Sequence, residues 1–296
     1  VSLGYATNYD LVECPTCGVR RFAPLPDLAE LQQFYASQYH GRDWYKQQGL
    51  GMAFANSLLP RNGGGRFLDV GCGLGFFLDG IRQHSTWEVS GVELSSCAAD
   101  FARRELSLDV RQGELTEARF PAGYFDYIHV CNVLEHVCDP VGLLSECRRI
   151  IKPSGTLHLR VPNGRVDCIE LINFFRRERK PALSTSGHLF FFPRRTLRLM
   201  LADAGFEPVT SKTYGIRRGL RRLGLYPRWP GRGTHQLCAA NGTKPAASKE
   251  IVLAAQKQRP DIYYRYRFFQ LRMKMLPGLH EFGLDFLLLL RPTGEK

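Results

Sequence analysis

The sequence predicts an α/β fold, a doubly wound sheet with helices on both faces, and three observations carry that reading. Between Arg66 and Val161, short β-like runs alternate with amphipathic helical stretches, the pattern of parallel strands joined by covering helices. A glycine-rich turn, Gly71-Cys72-Gly73-Leu74-Gly75, lies directly between one such strand and the next helix. The following strand ends in an acid, Glu93, about 20 residues beyond the turn, the spacing at which Rossmann-like sheets hold a ribose.

The strands are expected at RFLDV (66–70), WEVSGVEL (87–94), LDVRQ (108–112), YFDYIHV (124–130) and GTLHLRV (155–161). Helices lie between them at Phe76–His84, Ser95–Glu105 and Pro140–Ile151, the last stopped by the turn-forming run Lys152-Pro153-Ser154-Gly155. A further helix over Arg194–Ala204 ends at Gly205 and feeds a strand over Phe206–Lys212. His235–Ala240 reads as the last core strand, with Phe286–Leu290 as a rival that periodicity does not separate from it. The implied organisation is a segment 1–30, a helical stretch 31–62, a core domain 63–240 with a basic insert 209–236, and a basic aromatic tail 241–296, so that short N-terminal and C-terminal appendages flank the sheet.

With 296 residues and 44% hydrophobic content, the chain can bury one full α/β core. The formal charge of +12 favours anionic partners, whether nucleic acid, membrane surface or acidic substrate. The nine cysteines are scattered, with one close pair, Cys14 and Cys17, which points to a reducing compartment and a cytoplasmic location. The first residues form no signal sequence, and the longest apolar run, Phe286–Leu290, is far short of the ~20 residues of a membrane span.

Glycines at 71, 73 and 75 let the main chain turn sharply and expose bare backbone, while the helix start offers unpaired N–H groups. A nucleotide-like cofactor belongs on such a loop, and Glu93 can accept hydrogen bonds from its ribose hydroxyls. These two features do not distinguish a nicotinamide site from other nucleoside sites.

Over residues 64–240 the sequence resembles class I S-adenosyl-L-methionine-dependent methyltransferases, in particular their ubiquinone-biosynthesis-like and small-molecule group. The matching blocks are LDVGCGLGFFL, VSGVELS, QGEL (112–115), FDYIHVCNVLEHVCDP (125–140), LLSECRRIIKPSGTLHLRVPN (143–163) and HLFFFPRRTLRLMLADAGFEPV (188–209), in the family's order. The resemblance implies that Asp69 orients the glycine loop and the methionine end of S-adenosylmethionine, and that Gly71, Gly73 and Gly75 cradle it. It further implies that Glu93 holds the ribose and Leu94 lies against the adenine. Glu114 and Leu115 stand where the family has an aspartate-containing adenine contact, with Glu114 one methylene longer. Asn132 would sit near the reacting methyl, and Tyr35, Tyr39 and Tyr45 would form an N-terminal lid.

For a hydroxyl acceptor the transfer benefits from a base, and the candidates are His188 in SGHLFFF, His136 and Glu135 in NVLEHV, and His40 near the start, with His188 and His136 preferred. Cys14 and Cys17 have the C-x-x-C spacing of a zinc knuckle, although a structural zinc needs two further ligands. The expected function is methylation of a small-molecule acceptor, with O-methylation of a sugar, quinone or lipid-linked metabolite favoured. RNA methylation is the alternative suggested by charge, although the base-targeting Asn-Pro-Pro-Tyr type of motif is missing. A non-catalytic, membrane-associated cofactor-binding scaffold is the third reading. Residues 215–232, where arginines alternate with apolar and aromatic residues, are expected to contact an anionic membrane, and nucleic acid is the less favoured partner.

Overall fold

A computed structural model of the chain describes residues 10–36, 44–59, 63–178, 187–215 and 285–294. Its centre is a sheet of seven strands in the order β5-β4-β3-β6-β7-β10-β9. These strands are β3 (Arg66–Val70), β4 (Glu88–Glu93), β5 (Asp109–Gln112), β6 (Phe125–Cys131), β7 (Ile151–Pro162), β9 (Phe206–Tyr214) and β10 (Asp285–Pro292). β5, β4, β3, β6 and β7 are parallel, and β10 runs antiparallel to both β7 and β9. The strand order reverses beside β3, so the loops after β3 and β6 open a crevice at the carboxyl end of the sheet, the usual ligand position in such folds.

Period-two alternation divides the core between the two faces. Phe67 and Tyr127 pack on one side with Phe54, Ile81, Trp87 and Leu108. That side is covered by α2 (Trp44–Leu58), α3 (Phe76–Gln83) and α4 (Ser96–Leu106). Leu68, Val70, Ile128 and Val130 face the other side with Leu144, Leu159 and Leu197. α5 (Pro140–Ile150) and α7 (Arg194–Asp203) cover it. Ser95 caps α4 by accepting from the Ala98 N–H, and Asp139 caps α5 by accepting from the Gly142 N–H, each supplying a partner for a helix-end amide.

Four features depart from the sequence expectation. The rival run Phe286–Leu290 lies within β10, where Phe286, Leu288 and Leu290 oppose the buried Val161, Leu159 and Leu157 of β7. The stretch 241–296 drawn as a tail therefore supplies a strand of the core sheet, while residues 235–240 lie outside the described residues. The run Lys152–Gly155 is extended and opens β7, its irregularity absorbed by a register shift against β6 between Phe125 and Tyr127. Lys152 is anchored there by Asp126, whose carboxylate oxygens lie 2.7 and 2.8 Å from its ammonium group. Finally, α6 (Gly164–Glu178) follows β7 where the sequence reading had placed no element.

The N-terminal residues form β1 (Asp10–Glu13) and β2 (Arg20–Ala23), a hairpin whose second strand pairs with β8 (Phe190–Phe191). α1 (Leu28–Ala36) follows it. Cys14 and Cys17 sit in the hairpin turn, closed by backbone bonds of 2.9 Å between Cys14 and Val19 and between Gly18 and Cys14. Among the described residues no third ligating side chain joins that pair, and the expected zinc finds no support. The eight described cysteines are all free thiols.

α2 and α3 cross backbone to backbone. A Cβ added to Gly51 would lie 2.1 Å from the Phe77 carbonyl oxygen, and one on Gly80 would lie 2.2 Å from the Gln48 carbonyl oxygen. Helix propensity alone would make Gly80→Ala stabilising by up to about 1 kcal/mol. The clash is with a carbonyl that cannot move aside, however, and overpacking of this kind costs about 1–3 kcal/mol. Gly80→Ala should therefore lower the denaturant midpoint, whereas Gly49→Ala, with open space around it, should leave it unchanged or raise it. A stabilised Gly80→Ala variant would show that the two helices do not cross this closely.

Candidate active site

At the end of β3 the chain turns through three left-handed glycines, Gly71 at φ 71°, Gly73 at φ 57° and Gly75 at φ 82°, a conformation that side chains with a Cβ resist. The Gly71 and Cys72 amides donate to the Val92 carbonyl at 2.8 and 3.1 Å, which holds the turn against β4. Gly71 lies under the Val133 side chain, with an added Cβ only 2.6 Å from Cγ2. Gly75 is the N-cap of α3, and an added Cβ would strike Leu108 and Ala102; its requirement is packing.

Glu93 is 3% exposed and closes this turn from below. Its Oε2 accepts from the Gly73 N–H and its Oε1 from the Ser95 N–H, both at 2.8 Å. One carboxylate thus ties the glycine loop to the start of α4. A carboxylate oxygen has a second lone pair, so each can accept again from a ligand hydroxyl.

Asp69 points elsewhere. Its Oδ1 lies 2.7 Å from Nδ1 of the buried His129, whose ring stacks on Phe77 at 4.6 Å and on His158 at 4.9 Å. Burial works to lower the His129 pKa, but the charge and hydrogen bond of Asp69, with a contribution from Cys131, lift it to about 9. A buried ion pair therefore lies between β3 and β6, beneath the loop, and Asp69 is not among the side chains that line the adjoining cavity.

That cavity has a volume of about 210 Å³. Gly71, Glu93, Leu94, Glu114, Leu115, Asn132 and His136 all reach it, and seven expected site residues thus converge. Leu94, Leu115, Val133 and Leu143 make its apolar portion, which suits a flat heterocycle, and Glu93 supplies an acceptor beside it. Burial, helped by Glu117 and Asp139, raises the Glu114 pKa. Asn132 adopts a left-handed φ of 55° and donates its amide to the Arg160 carbonyl at 2.9 Å, a backbone state asparagine tolerates. From α1, Leu31 and Tyr35 line the cavity together, four residues apart on one helix face. Tyr45 on α2 is 41% exposed and does not join them, and Tyr39 lies outside the described residues.

At the His136 end of the cavity stands a polar cluster. Nδ1 of His136 lies 2.7 Å from the Tyr35 hydroxyl and 3.0 Å from the Gly187 carbonyl. The His188 ring is perpendicular to it at 4.7 Å, behind the cavity wall, and Nδ1 of His188 lies 2.6 Å from Asp167 Oδ2. Glu135 completes the group, offering an oxygen within 4.8 Å of a nitrogen of each histidine. Among the described residues neither of its carboxyl oxygens meets a hydrogen-bond donor, and burial, opposed by His188, raises its pKa to about 8. Burial and the neighbouring His188 push His136 down to about 3.

Gly187, at φ 68°, lets the loop before His188 lie flat on α1, since an added Cβ would be 2.7 Å from Phe34. Asp167 is missed in the sequence because α6 is; the signal available was the i, i+3 spacing of Cys168 and Leu171, both buried. Among the described residues no helix is long and apolar enough to cross a membrane. Of the basic stretch 215–232, only Gly215 is described.

Among curated relatives, the ubiquinone biosynthesis O-methyltransferase of Alkalilimnicola ehrlichii is 36% identical over 100 residues, covering 31% of this chain and 39% of the relative. That of Actinobacillus pleuropneumoniae is 29% identical over 119 residues, covering 37% and 50%. The chain thus spans half or less of the length of these relatives. Among solved structures, the [4+2]-cyclase SpnF superposes with a TM-score of 0.54 at 18% identity, covering 92% of this chain and 99% of that one. A Haloferax volcanii methyltransferase, solved with the Trm112 methyltransferase activator, gives 0.51 at 18% identity, covering 91% and 100%. At that identity the two structures establish the fold alone. The family model described as a methyltransferase domain matches residues 44–211, more than half of the 296 residues, and the chain belongs to that methyltransferase family.

Proposed function

We propose that this chain is an S-adenosylmethionine-dependent methyltransferase acting on a hydroxyl of a small-molecule acceptor. The observation that carries the proposal is Glu93, buried and bonded to both the glycine loop and the start of α4, beside a cavity lined at its far end by His136, with His188 packed against that ring. The residues fit the cofactor. Gly71 presents bare main chain to the cavity, Glu93 retains accepting capacity for ribose hydroxyls, and Leu94 and Leu115 offer apolar surface for adenine. When bound, S-adenosylmethionine supplies a methyl group activated by a sulfonium centre.

The remaining work is alignment, exclusion of water and removal of one proton. Asn132 and His136 line the cavity where the acceptor would approach and Tyr35 closes it from α1; His188, packed behind His136 and bonded to Asp167, is the base for the acceptor hydroxyl. The similarity to ubiquinone biosynthesis O-methyltransferases supports oxygen as the acceptor atom. A quinone precursor, a sugar or a lipid-linked metabolite falls within this class. A cytoplasmic location is part of the same proposal, as is membrane contact through the arginine-rich stretch 215–232.

Three outcomes follow. Glu93→Ala should weaken S-adenosylmethionine binding by about 1–3 kcal/mol, measured by titration calorimetry on a variant with unchanged circular dichroism; full affinity would remove Glu93 from the site. His188→Ala should leave that affinity intact and reduce turnover roughly 100- to 10,000-fold, and a loss below about tenfold would exclude it as the base. For the basic stretch, each arginine near an anionic surface contributes about 1 kcal/mol. Co-sedimentation with liposomes should rise with anionic lipid content and fall when Arg217, Arg218, Arg221 and Arg222 are replaced by glutamine. Absence of sedimentation at low salt would leave a freely diffusing acceptor as the remaining choice.

A further inference from the structure

His136 lines the far end of the cavity and His188 packs behind it, ring against ring at 4.7 Å, and only one can be the primary proton acceptor. Resting on the methyl-transfer reading above, we infer that Asp167 is a positioning residue that makes His188, and not His136, that acceptor. The hydrogen bonds of the two rings differ in kind. Nδ1 of His188 faces a carboxylate oxygen at 2.6 Å. A carboxylate only accepts, so Nδ1 carries the hydrogen and the lone pair falls on Nε2. Nδ1 of His136 instead meets two neutral groups, the Tyr35 phenol at 2.7 Å and the Gly187 carbonyl at 3.0 Å.

A charge-assisted bond is roughly twice as strong as a neutral one, so the imidazolium is stabilised on His188 and not on His136. Burial holds the Tyr35 phenol well above its ordinary pKa, so it stays an uncharged hydroxyl, and Glu135 Oε1, at 3.7 Å from Nε2 of His136, is beyond hydrogen-bond distance and has its pKa raised by burial to about 8, which weakens it as a counter-ion. His136 forms part of the cavity wall, and His188 stands against its face.

Among the described residues, the groups that face His188 include Asp167 from α6, Glu135 and His136 from the loop after β6, and Asp285 from β10. Burial disfavours its cation, yet the bond and charge of Asp167, then Glu135 and Asp285, raise its pKa above 6.5. In the transfer the acceptor's O–H bond breaks as its O–CH₃ bond forms, and the proton passes to Nε2 of His188. The S–CH₃ bond breaks with its electron pair returning to sulfur, which leaves a neutral thioether. The base works only in its unprotonated form. Turnover should therefore rise with pH through a limb above 6.5 and be lost below it.

The test combines nitrogen NMR and kinetics on the full chain. With ¹⁵N-labelled histidine and the His188→Gln and His136→Gln variants for assignment, His188 should titrate above pH 6.5 with Nδ1 protonated in its neutral form. His136 should stay neutral down to pH 5. In Asp167→Asn the His188 midpoint should fall by on the order of one pH unit, and Asp167→Glu should restore most of it. With catechol as the probe acceptor, kcat of Asp167→Asn should drop roughly tenfold or more and its acid limb should move down with the midpoint. Affinity for S-adenosylhomocysteine, measured on the same samples, should not change.

A His188 midpoint indifferent to Asp167→Asn, or a His136 that titrates first, overturns the inference. So does turnover that vanishes with a chelator and returns with a divalent cation, since the histidines would then serve an ion. If His188→Gln retains full turnover while the NMR shifts behave as stated, the proton-acceptor role fails but the Asp167 hydrogen bond stands. If S-adenosylhomocysteine does not bind the wild-type chain at all, the methyl-transfer reading fails first.

Discussion

A buried carboxylate with no partner would cost several kcal/mol, and this constraint organises the cofactor half of the molecule. Glu93 meets it with two backbone amides, one from the glycine loop and one from the first turn of the next helix. Because both amides must point at one side chain, the turn after β3 and the turn after β4 are fixed relative to each other. Glycine at 71 and 73 is then a geometric necessity, since the amides reach their partners only with φ near +60° to +70°. The second buried pair, Asp69 with His129, does the same work one layer below by joining β3 to β6. The loop is thus supported from two sides by charged groups that the surrounding apolar core cannot relax.

The acceptor half is organised differently. Its polar groups come from five separated places in the chain, Tyr35 on α1, Glu135 and His136 after β6, Asp167 on α6, His188 before β8, and Asp285 on β10. No local pattern of residues encodes such a cluster. It arises because the carboxyl ends of β6 and β7 and the antiparallel start of β10 lie side by side, and each following loop or helix delivers one group to the same place.

This contrast explains what was legible in the sequence. The parallel strands, the glycine turn and Glu93 follow from period and spacing, which are local, and their boundaries fall within a few residues of those expected. His136 and His188 were recognisable as residue types, but their unequal partners were not, because Asp167 sits on a helix whose polar and apolar residues gave no clear stop signals. The Leu287–Leu290 run is equally apolar on both faces; only pairing against Leu157, Leu159 and Val161 determines that Leu288 and Leu290 turn inward. Similarly, the Gly51–Gly80 crossing depends on two helices meeting, which neither helix announces alone.

The position of β10 also sets the order in which the molecule can be completed. β9 is made early, yet it reaches the rest of the sheet only through β10, which enters between it and β7. On the ribosome, the buried edge of β7 and the inner face of β9 must wait until residue 292 has been synthesised. Contacts that span so much chain form slowly, and an unpaired apolar strand edge exposed for that interval invites association with other chains. For this protein, the interval between translating Tyr214 and closing the sheet is where chaperone assistance would matter most.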